Sequence, residues 1–425
     1  MVKGEQGSLP TIRYMKALLI NTFYNQESTG KLIHNFHSFL KKNNDEVLVL
    51  YGHGIHNPAD SSLIRLSSDL EGKIHNLLGR ITGLNGCFSF FSTAKALKYI
   101  DEFKPDAVFL GNLHGHYVNI YQLFEHLKLR NIPIIQIMWD EYMMTGACSF
   151  SYECERFQDK CFNCPHKKDY PISWFFDTSS VLQTKKRKAY ENQNICFVSV
   201  PYTIEKGRRS ALIKHFTLYS LDEAVDQTTI FFPHNGEKLR QELGIPAGKK
   251  IVLNVCPYPS ERKGGRYYLE LARSCLDLEQ IVFVHVGFNG DTSICPRNYL
   301  PIGYVKDQQR LAAFYSMADL FICTSLAETQ PNTCLEALSC GTPICGFNIS
   351  GVPTCASSPY GKYVELGDIQ GLRNIVVETP KKTKQSESEI RSYAETRFSS
   401  DDYNRRLREI ALSRINVNTE KHTNQ

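Results

Sequence analysis

Short apolar runs alternate with segments of helical periodicity along most of this chain. That alternation demands a parallel sheet covered by helices, and it disfavours an all-β or all-α fold. Lys16 to Thr22 reads as a first buried strand, Asn25 to Gly30 as a loop, Lys31 to Lys42 as a helix, and Glu46 to Tyr51 as a second strand. Asp106 to Leu110 and Ile132 to Trp139 repeat the strand pattern on either side of a helix through Tyr121 to Leu129. A second series starts near Lys249, with strands at Ile251 to Cys256, Ile281 to Val286, Asp319 to Thr324 and Thr342 to Gly346. Its helices are expected at about Gly265 to Cys275 and at Asn332 to Ser339. Two such series define two doubly wound, Rossmann-like α/β domains facing across a cleft.

The expected division is residues 15–215, residues 216–395, and a terminal helix and tail over 396–425. Lys381 to Glu389 is polar and reads as an exposed connector, Tyr403 to Ile415 as an amphipathic helix packing back on the first domain, and the last ten residues as frayed. At 425 residues, 42% hydrophobic and 22% charged, the composition excludes disorder, collagen-like repeats and a coiled coil. A net charge of +5 is too mild to nominate nucleic acid. No run approaches 18 apolar residues and Met1 to Tyr14 lacks a signal-like apolar core, so a cytoplasmic protein is expected.

The most informative stretch runs from Ala327 to Pro343. A strand ends near Ser325, a turn carries Glu328 and Pro331, and a helix starting at Asn332 is stopped by Gly341. First-turn amides of that helix point where ligands bind in open α/β sheets, so a phosphate there meets N–H donors and a favourable dipole. Glu328 and Glu336 are too far apart along an ideal helix, about 12 Å, to read as a glycosidase pair, for which about 5 to 9.5 Å is needed. Gripping vicinal hydroxyls suits such carboxylates better.

A second cluster is Cys148-x5-Cys154-x6-Cys161-x2-Cys164, within a Cys-rich segment over 145–171. Four thiols in 17 residues suit a tetrahedral structural zinc site, the alternative being free buried thiols. His166 is a substitute ligand, and Pro165-His166 argues against a redox Cys-x-x-Cys.

Glu-x7-Glu followed by Ala-Leu-Ser-Cys-Gly-Thr-Pro resembles the nucleotide-sugar site of the family 4 retaining glycosyltransferases, whose fold is GT-B. Similar motifs recur in Ser28-Thr29-Gly30-Lys31, Glu261-Arg262-Lys263-Gly264 and Gly351-Val352-Pro353. The run from Asn112 to Ile120, Thr145-Gly146-x-Cys148, Cys161-x-x-Cys164-Pro165 and Tyr170-Pro171 resemble the bacterial branch that builds exopolysaccharide, capsule and lipopolysaccharide.

The resemblance implies that Glu336 holds ribose hydroxyls, Glu328 the transferred sugar, and the backbone of Thr329, Asn332 and Thr333 the diphosphate. Arg262 and Lys263 would supply positive charge, Gly30 a close backbone approach, and His114 a contact near the cleft. It further implies a UDP- or GDP-linked donor, a glycan or lipid-linked acceptor, no metal cofactor for catalysis, and front-face attack in which the departing phosphate takes the acceptor proton. Where family members carry His-Asp, this chain has Trp139-Asp140. Either Trp139 stacks on a sugar face, or Asp140 or Glu141 takes over, or turnover is impaired and the protein serves as a binding or scaffold subunit. The family's Glu after Gly-Gly-x-Pro is replaced by Thr354. Lys185 to Lys188, the densest basic run, reads as a solvated helix face or as a contact with the anionic inner face of the plasma membrane.

Overall fold

The computed structural model describes residues 14–55 and 59–423, with side chains through residue 416. The first domain contains β1 (Lys16–Phe23), α1 (Glu27–Lys42), β2 (Glu46–His53), β3 (Leu63–Arg65), α2 (Asp69–Thr82), α3 (Phe90–Phe103) and β4 (Ala107–Leu110). It continues with α4 (Ile120–Leu129), β5 (Ile134–Ile137), α5 (Ser179–Tyr190), β6 (Ile195–Ser199), α6 (Pro201–Gly207) and β7 (Thr217–Ser220). The second domain begins with α7 (Gly236–Glu242), β8 (Lys250–Tyr258), α8 (Gly265–Ser274), β9 (Ile281–Phe288), β10 (Tyr299–Ile302), α9 (Gln308–Met317) and β11 (Leu320–Cys323). It ends with α10 (Asn332–Ser339), β12 (Ile344–Phe347), β13 (Gly361–Val364), α11 (Ile369–Glu378) and α12 (Lys384–Arg397), after which α13 (Ser400–Thr423) returns to the first domain.

Both sheets are parallel, ordered β3-β2-β1-β4-β5-β6-β7 and β10-β9-β8-β11-β12-β13. The inner strands are mostly apolar and almost entirely buried because helices cover both of their faces. Two hydrophobic clusters sandwich each sheet. Strand order reverses between β1 and β4 in one sheet and between β8 and β11 in the other. The loops leaving those strands diverge there and open a crevice in each domain.

The expected two-domain α/β architecture is observed, with differences at its joints. Residues 27–30 belong to α1 rather than to a loop. Lys381 to Glu389 is not a mere connector: Thr383 and Ser386 form a reciprocal capping box that starts α12. The first sheet extends through β7, beyond residue 215. Helix α13 packs back as expected, burying Leu407, Ile410, Ala411 and Ile415 in the first domain's core, and Arg408 grips Asp45 (2.6 and 3.0 Å). It continues to Thr423, past the point where fraying was expected.

The basic run also differs from expectation. Lys186 is fully buried, its ammonium bonded to the carbonyls of Tyr142, Thr145 (3.2 Å) and Gly146 (3.2 Å) and seated 3.5 Å over the Tyr142 ring. Burial pushes its pKa down to about 7. This lysine closes three carbonyls at the head of the Cys-rich segment and does not face solvent.

Candidate functional site

The two crevices face each other and form one cleft of about 660 Å³. From the first domain it is lined by Thr29 and Lys31 in α1, Asn112 after β4, and Trp139 and Asp140 after β5. From the second it receives Arg262 and Lys263 after β8, Glu328 to Thr333 after β11, and Glu336 on α10.

Lys263 Nζ donates to Glu328 Oε1 at 2.6 Å, and Arg262 Nη1 lies 3.1 Å from the same oxygen. Burial alone would raise the Glu328 pKa, but these two cations hold it below the usual carboxylate range. Their placement follows from the loop. Gly264 adopts φ +64°, and a Cβ there would collide with the Thr324 carbonyl, so the chain can cross the end of β11 only as glycine. Leu326 N then donates to Arg262 O (2.7 Å), and Arg262 Nη1 to Ala327 O (2.7 Å). On the other flank a Cβ at Gly351 would strike the Thr329 carbonyl, and Gly351 N donates to Glu328 O (2.8 Å). This contact gives the Gly-Val-Pro motif its work, which is to pin the Glu328 loop.

Glu336 sits one turn into α10 and accepts from the Tyr315 hydroxyl at 2.7 Å. Burial pushes its pKa up to about 7, against that hydrogen bond and the fields of Lys31 and Lys263. The N-terminus of α10 carries no side-chain cap, and its first residues line the cleft. An anion is well suited to that position.

Across the cleft, Thr329 Oγ1 donates to Trp139 O at 3.2 Å and ties the domains together. Arg262 adds a second tie, with its guanidinium 4.8 Å above the Phe150 ring. Asp140 is held from both sides, by His114 Nε2 (3.0 Å) and the amide of Tyr142 (2.9 Å). Burial opposes ionisation of Asp140, but His114 and the Tyr142 amide keep its pKa low.

The sequence-derived site residues therefore separate. Glu328, Glu336, Arg262, Lys263, Thr329, Asn332, Thr333, Trp139 and Asp140 meet in one cleft. His114 does not line it; packed at a tilt against the Tyr142 ring (4.6 Å) and nearly fully buried, it positions Asp140 instead. Gly30 does not line it either, because its missing side chain faces Phe23 inside the first turn of α1, and Thr29 and Lys31 take the cleft side. Glu141 is turned away and paired with Lys206 (2.7 Å).

The four cysteines expected as zinc ligands come together at one place in the fold. Cys148, Cys154, Cys161 and Cys164 all line one small cavity, and the hydrogen bond with the Cys164 thiol, together with burial, raises the Cys148 pKa well above normal. Among the described residues, however, no three His, Cys, Asp or Glu side chains converge as metal ligands.

One cleft residue has no sequence signal at all. Glu223 follows β7 in a stretch without motif, yet it lines the cleft beside Trp139 and is only 5% exposed. Its Oε2 and the Trp139 Nε1 are both buried without a hydrogen-bond partner at normal geometry. Burial, reinforced by the neighbouring Asp222, pushes its pKa from 4.5 to about 8. The native state therefore keeps a proton that the unfolded chain releases, and this contribution to stability is lost as pH rises from 4.5 through about 8. Glu223→Gln is expected to raise the melting midpoint by several degrees at about pH 9 and to change it little at about pH 5, as read by calorimetry.

Comparisons with known proteins bear on the family and the fold. Residues 249–378 match the family model described as glycosyl transferases group 1. An Escherichia coli K12 protein named as a colanic acid biosynthesis glycosyl transferase is 22% identical over 268 residues, covering 61% of this chain and 64% of that protein. The alpha-galactosylglucosyldiacylglycerol synthase of Streptococcus pneumoniae is 33% identical over 120 residues, 25% of this chain and 31% of its own. The chain thus spans less than two thirds of these relatives.

Among solved structures, sucrose-phosphate synthase of Thermosynechococcus elongatus superposes with TM-score 0.65 at 14% identity, covering 94% of this chain and 99% of its own. HepE of Anabaena in complex with UDP-glucose gives 0.63 at 15% identity, covering 94% and 100%. At such identities the likeness establishes the fold, which is GT-B. The second domain carries the group 1 glycosyl transferase match.

Proposed function

We propose that the protein is a retaining glycosyltransferase that moves a hexosyl group from a nucleoside-diphosphate sugar, UDP- or GDP-linked, to a glycan or lipid-linked acceptor in surface polysaccharide assembly. The observation that carries this reading is the convergence of Lys263, Arg262 and Glu328 with the uncapped start of α10. Charge grows on the leaving diphosphate as the glycosidic bond breaks, and two fixed cations with backbone amides stabilise it without reorganisation. Glu336 then grips the ribose hydroxyls, and Glu328 orients the sugar. In front-face attack the acceptor oxygen forms the new bond on the side the phosphate leaves, and that phosphate oxygen takes the acceptor proton. Trp139 offers an apolar ring to the sugar, and Asp140 follows directly on the position where the resembled family keeps histidine.

The test is thermal unfolding with UDP, GDP, ADP and CMP, each at about one hundred times a plausible Kd, where binding adds about 2.7 kcal/mol. A shift of a few degrees with one nucleotide is expected, and none with any of the four would remove the reading. Affinity for that nucleotide should also fall as pH drops through about 7, because a protonated Glu336 offers the ribose a poorer acceptor. A second reading, binding without turnover, rests on Trp139; it requires nucleotide binding with no donor consumption and activity that returns in Trp139→His.

A further inference from the structure

A chain of hydrogen-bonded side chains outside the donor motifs ends at the cleft. Tyr24, in the turn between β1 and α1, lies between His34 and His37, which are one turn apart on α1. Its hydroxyl is 2.7 Å from His37 Nδ1 and 2.9 Å from His34 Nδ1. His37 Nε2 continues to Ser62 Oγ (3.4 Å), and Ser62 to Asp60 Oδ1 (2.5 Å), just ahead of β3. Lys41, a further turn along α1, donates to Ser62 Oγ (3.1 Å) and Asp60 Oδ2 (3.3 Å).

Donor and acceptor chemistry gives this chain one direction. Asp60, held below the usual carboxylate range by the Ser62 hydroxyl and Lys41, can only accept. Ser62 therefore gives its one proton to Asp60 and can only accept from its other neighbours. His37 must carry its proton on Nε2, which leaves the Nδ1 lone pair to take the Tyr24 hydroxyl. The Tyr24 oxygen then accepts from His34, whose proton sits on Nδ1. The reverse order would set two lone pairs against each other between His37 and Ser62. Burial keeps both rings neutral, with the His34 pKa lowered and that of His37, beside Lys41, pushed down to about 4.

His34 Nε2 is thereby left with a lone pair on the cleft wall. The half-buried ring lines the cleft with Thr29 and Lys31 of the same helix, and among the described residues this nitrogen has no hydrogen-bond partner. Lys31, one turn earlier, is close enough for its charge to lower the pKa of Glu336. Ionised phosphate and carboxylate oxygens have no proton to offer such a lone pair, whereas a sugar hydroxyl has.

We infer that His34 Nε2 accepts a hydrogen bond from a hydroxyl of the bound nucleotide sugar, on its ribose or on the hexosyl group, and that Tyr24, His37, Ser62 and Asp60 are positioning residues that fix the tautomer. The inference rests on the proposed function, which puts a nucleotide sugar in this cleft. A histidine free to exchange tautomers would offer an N–H for part of the time and lose the contact. The chain running back to Asp60 removes that freedom, so the first domain adds a directed grip to a ligand otherwise held by the second.

Two measurements on the full chain test this. The first is long-range nitrogen–proton correlation spectroscopy of protein with isotope-labelled histidine rings, the His34 signals being those lost in His34→Phe. The free wild-type protein should show His34 protonated on Nδ1, and Tyr24→Phe should bring in the Nε2-protonated form. The second is calorimetric titration with UDP, GDP, UDP-glucose and GDP-mannose. His34→Phe, which keeps a ring beside Tyr24 (5.3 Å), should bind the preferred nucleotide sugar about tenfold more weakly than wild type, and Tyr24→Phe about threefold more weakly. A loss seen with the nucleoside diphosphate but absent with its 2′,3′-dideoxy analogue assigns the hydroxyl to the ribose; a loss seen only with the nucleotide sugar assigns it to the hexosyl group. Equal affinities in wild type and His34→Phe overturn the inference and leave the proposed function standing. So do a loss that persists undiminished with the dideoxy analogue and a wild-type His34 protonated on Nε2. A wild-type chain that binds none of the four ligands removes the proposed function and the inference together.

Discussion

Lys263→Ala is expected to lower kcat/KM toward the donor sugar by about 10²- to 10³-fold, the effect of deleting one preorganised donor to a developing oxyanion. The ammonium lies 2.6 Å from Glu328 and on the wall of the cleft in which we place the diphosphate. A bound diphosphate would draw it from the carboxylate, so the charge already waits in position. Arg262→Ala should cost less at the chemical step, because the guanidinium is also bonded to Ala327 O and stacked on Phe150, and its loss is shared with loop and domain packing.

The same substitution makes a second, independent readout. Lys263 is the largest influence holding the Glu328 pKa down, so its removal should move the acid limb of the pH–rate profile to higher pH. Steady-state kinetics over pH decide both points. A fall in kcat/KM under about fivefold would falsify the assignment of Lys263 to the leaving group.

Glu141→Ala is expected to destabilise the first domain by about 3–5 kcal/mol, the cost of leaving a buried charge without its partner. Glu141 is 2% exposed, accepts from Lys206 Nζ and the Ser151 amide at 2.7 Å each, and its backbone bonds to Ser149, Met144 and Thr145. Lys206 retains the Ser151 and Tyr202 hydroxyls and the Phe157 and Tyr202 rings once the carboxylate is gone, none of which carries the opposite charge. Denaturant titration should show a lower midpoint with the slope unchanged. The double change Glu141→Leu with Lys206→Met should recover part of the loss, since it removes both charges. Equal destabilisation in single and double variants would mean that packing volume, not charge, is what the pair supplies.

The sites read from sequence fared according to how local their signals were. Glu328, Glu336, Arg262 and Lys263 lie on loops and a helix start that their own neighbours dictate, through Gly264, Gly351 and the stop at Gly341, and all four reach the cleft. His114 and Gly30 sit in segments that resemble a known pattern, but the direction of the His114 ring depends on Tyr142, and the open side of Gly30 is taken up by Phe23. Lys186 looked like a surface charge because the residues beside it in sequence are basic; its three carbonyl partners come from the turn at 142–146. Residues 59–103, which build β3, α2 and α3, gave no clear reading. A helix with glycine and histidine inside and leucine outside inverts the pattern by which helices are recognised.

The sequence by itself determined the two parallel α/β domains, the strand-to-helix turns bearing Glu328 and Lys263, and the return of the last helix. These follow from periodicities and turn residues that act within a few positions of one another. Only the tertiary structure decided that Glu223 is buried beside Trp139, that the four cysteines gather around one cavity, and which face of α2 meets solvent. Each of those depends on burial and on fields from residues far apart in the chain, and a linear pattern carries neither.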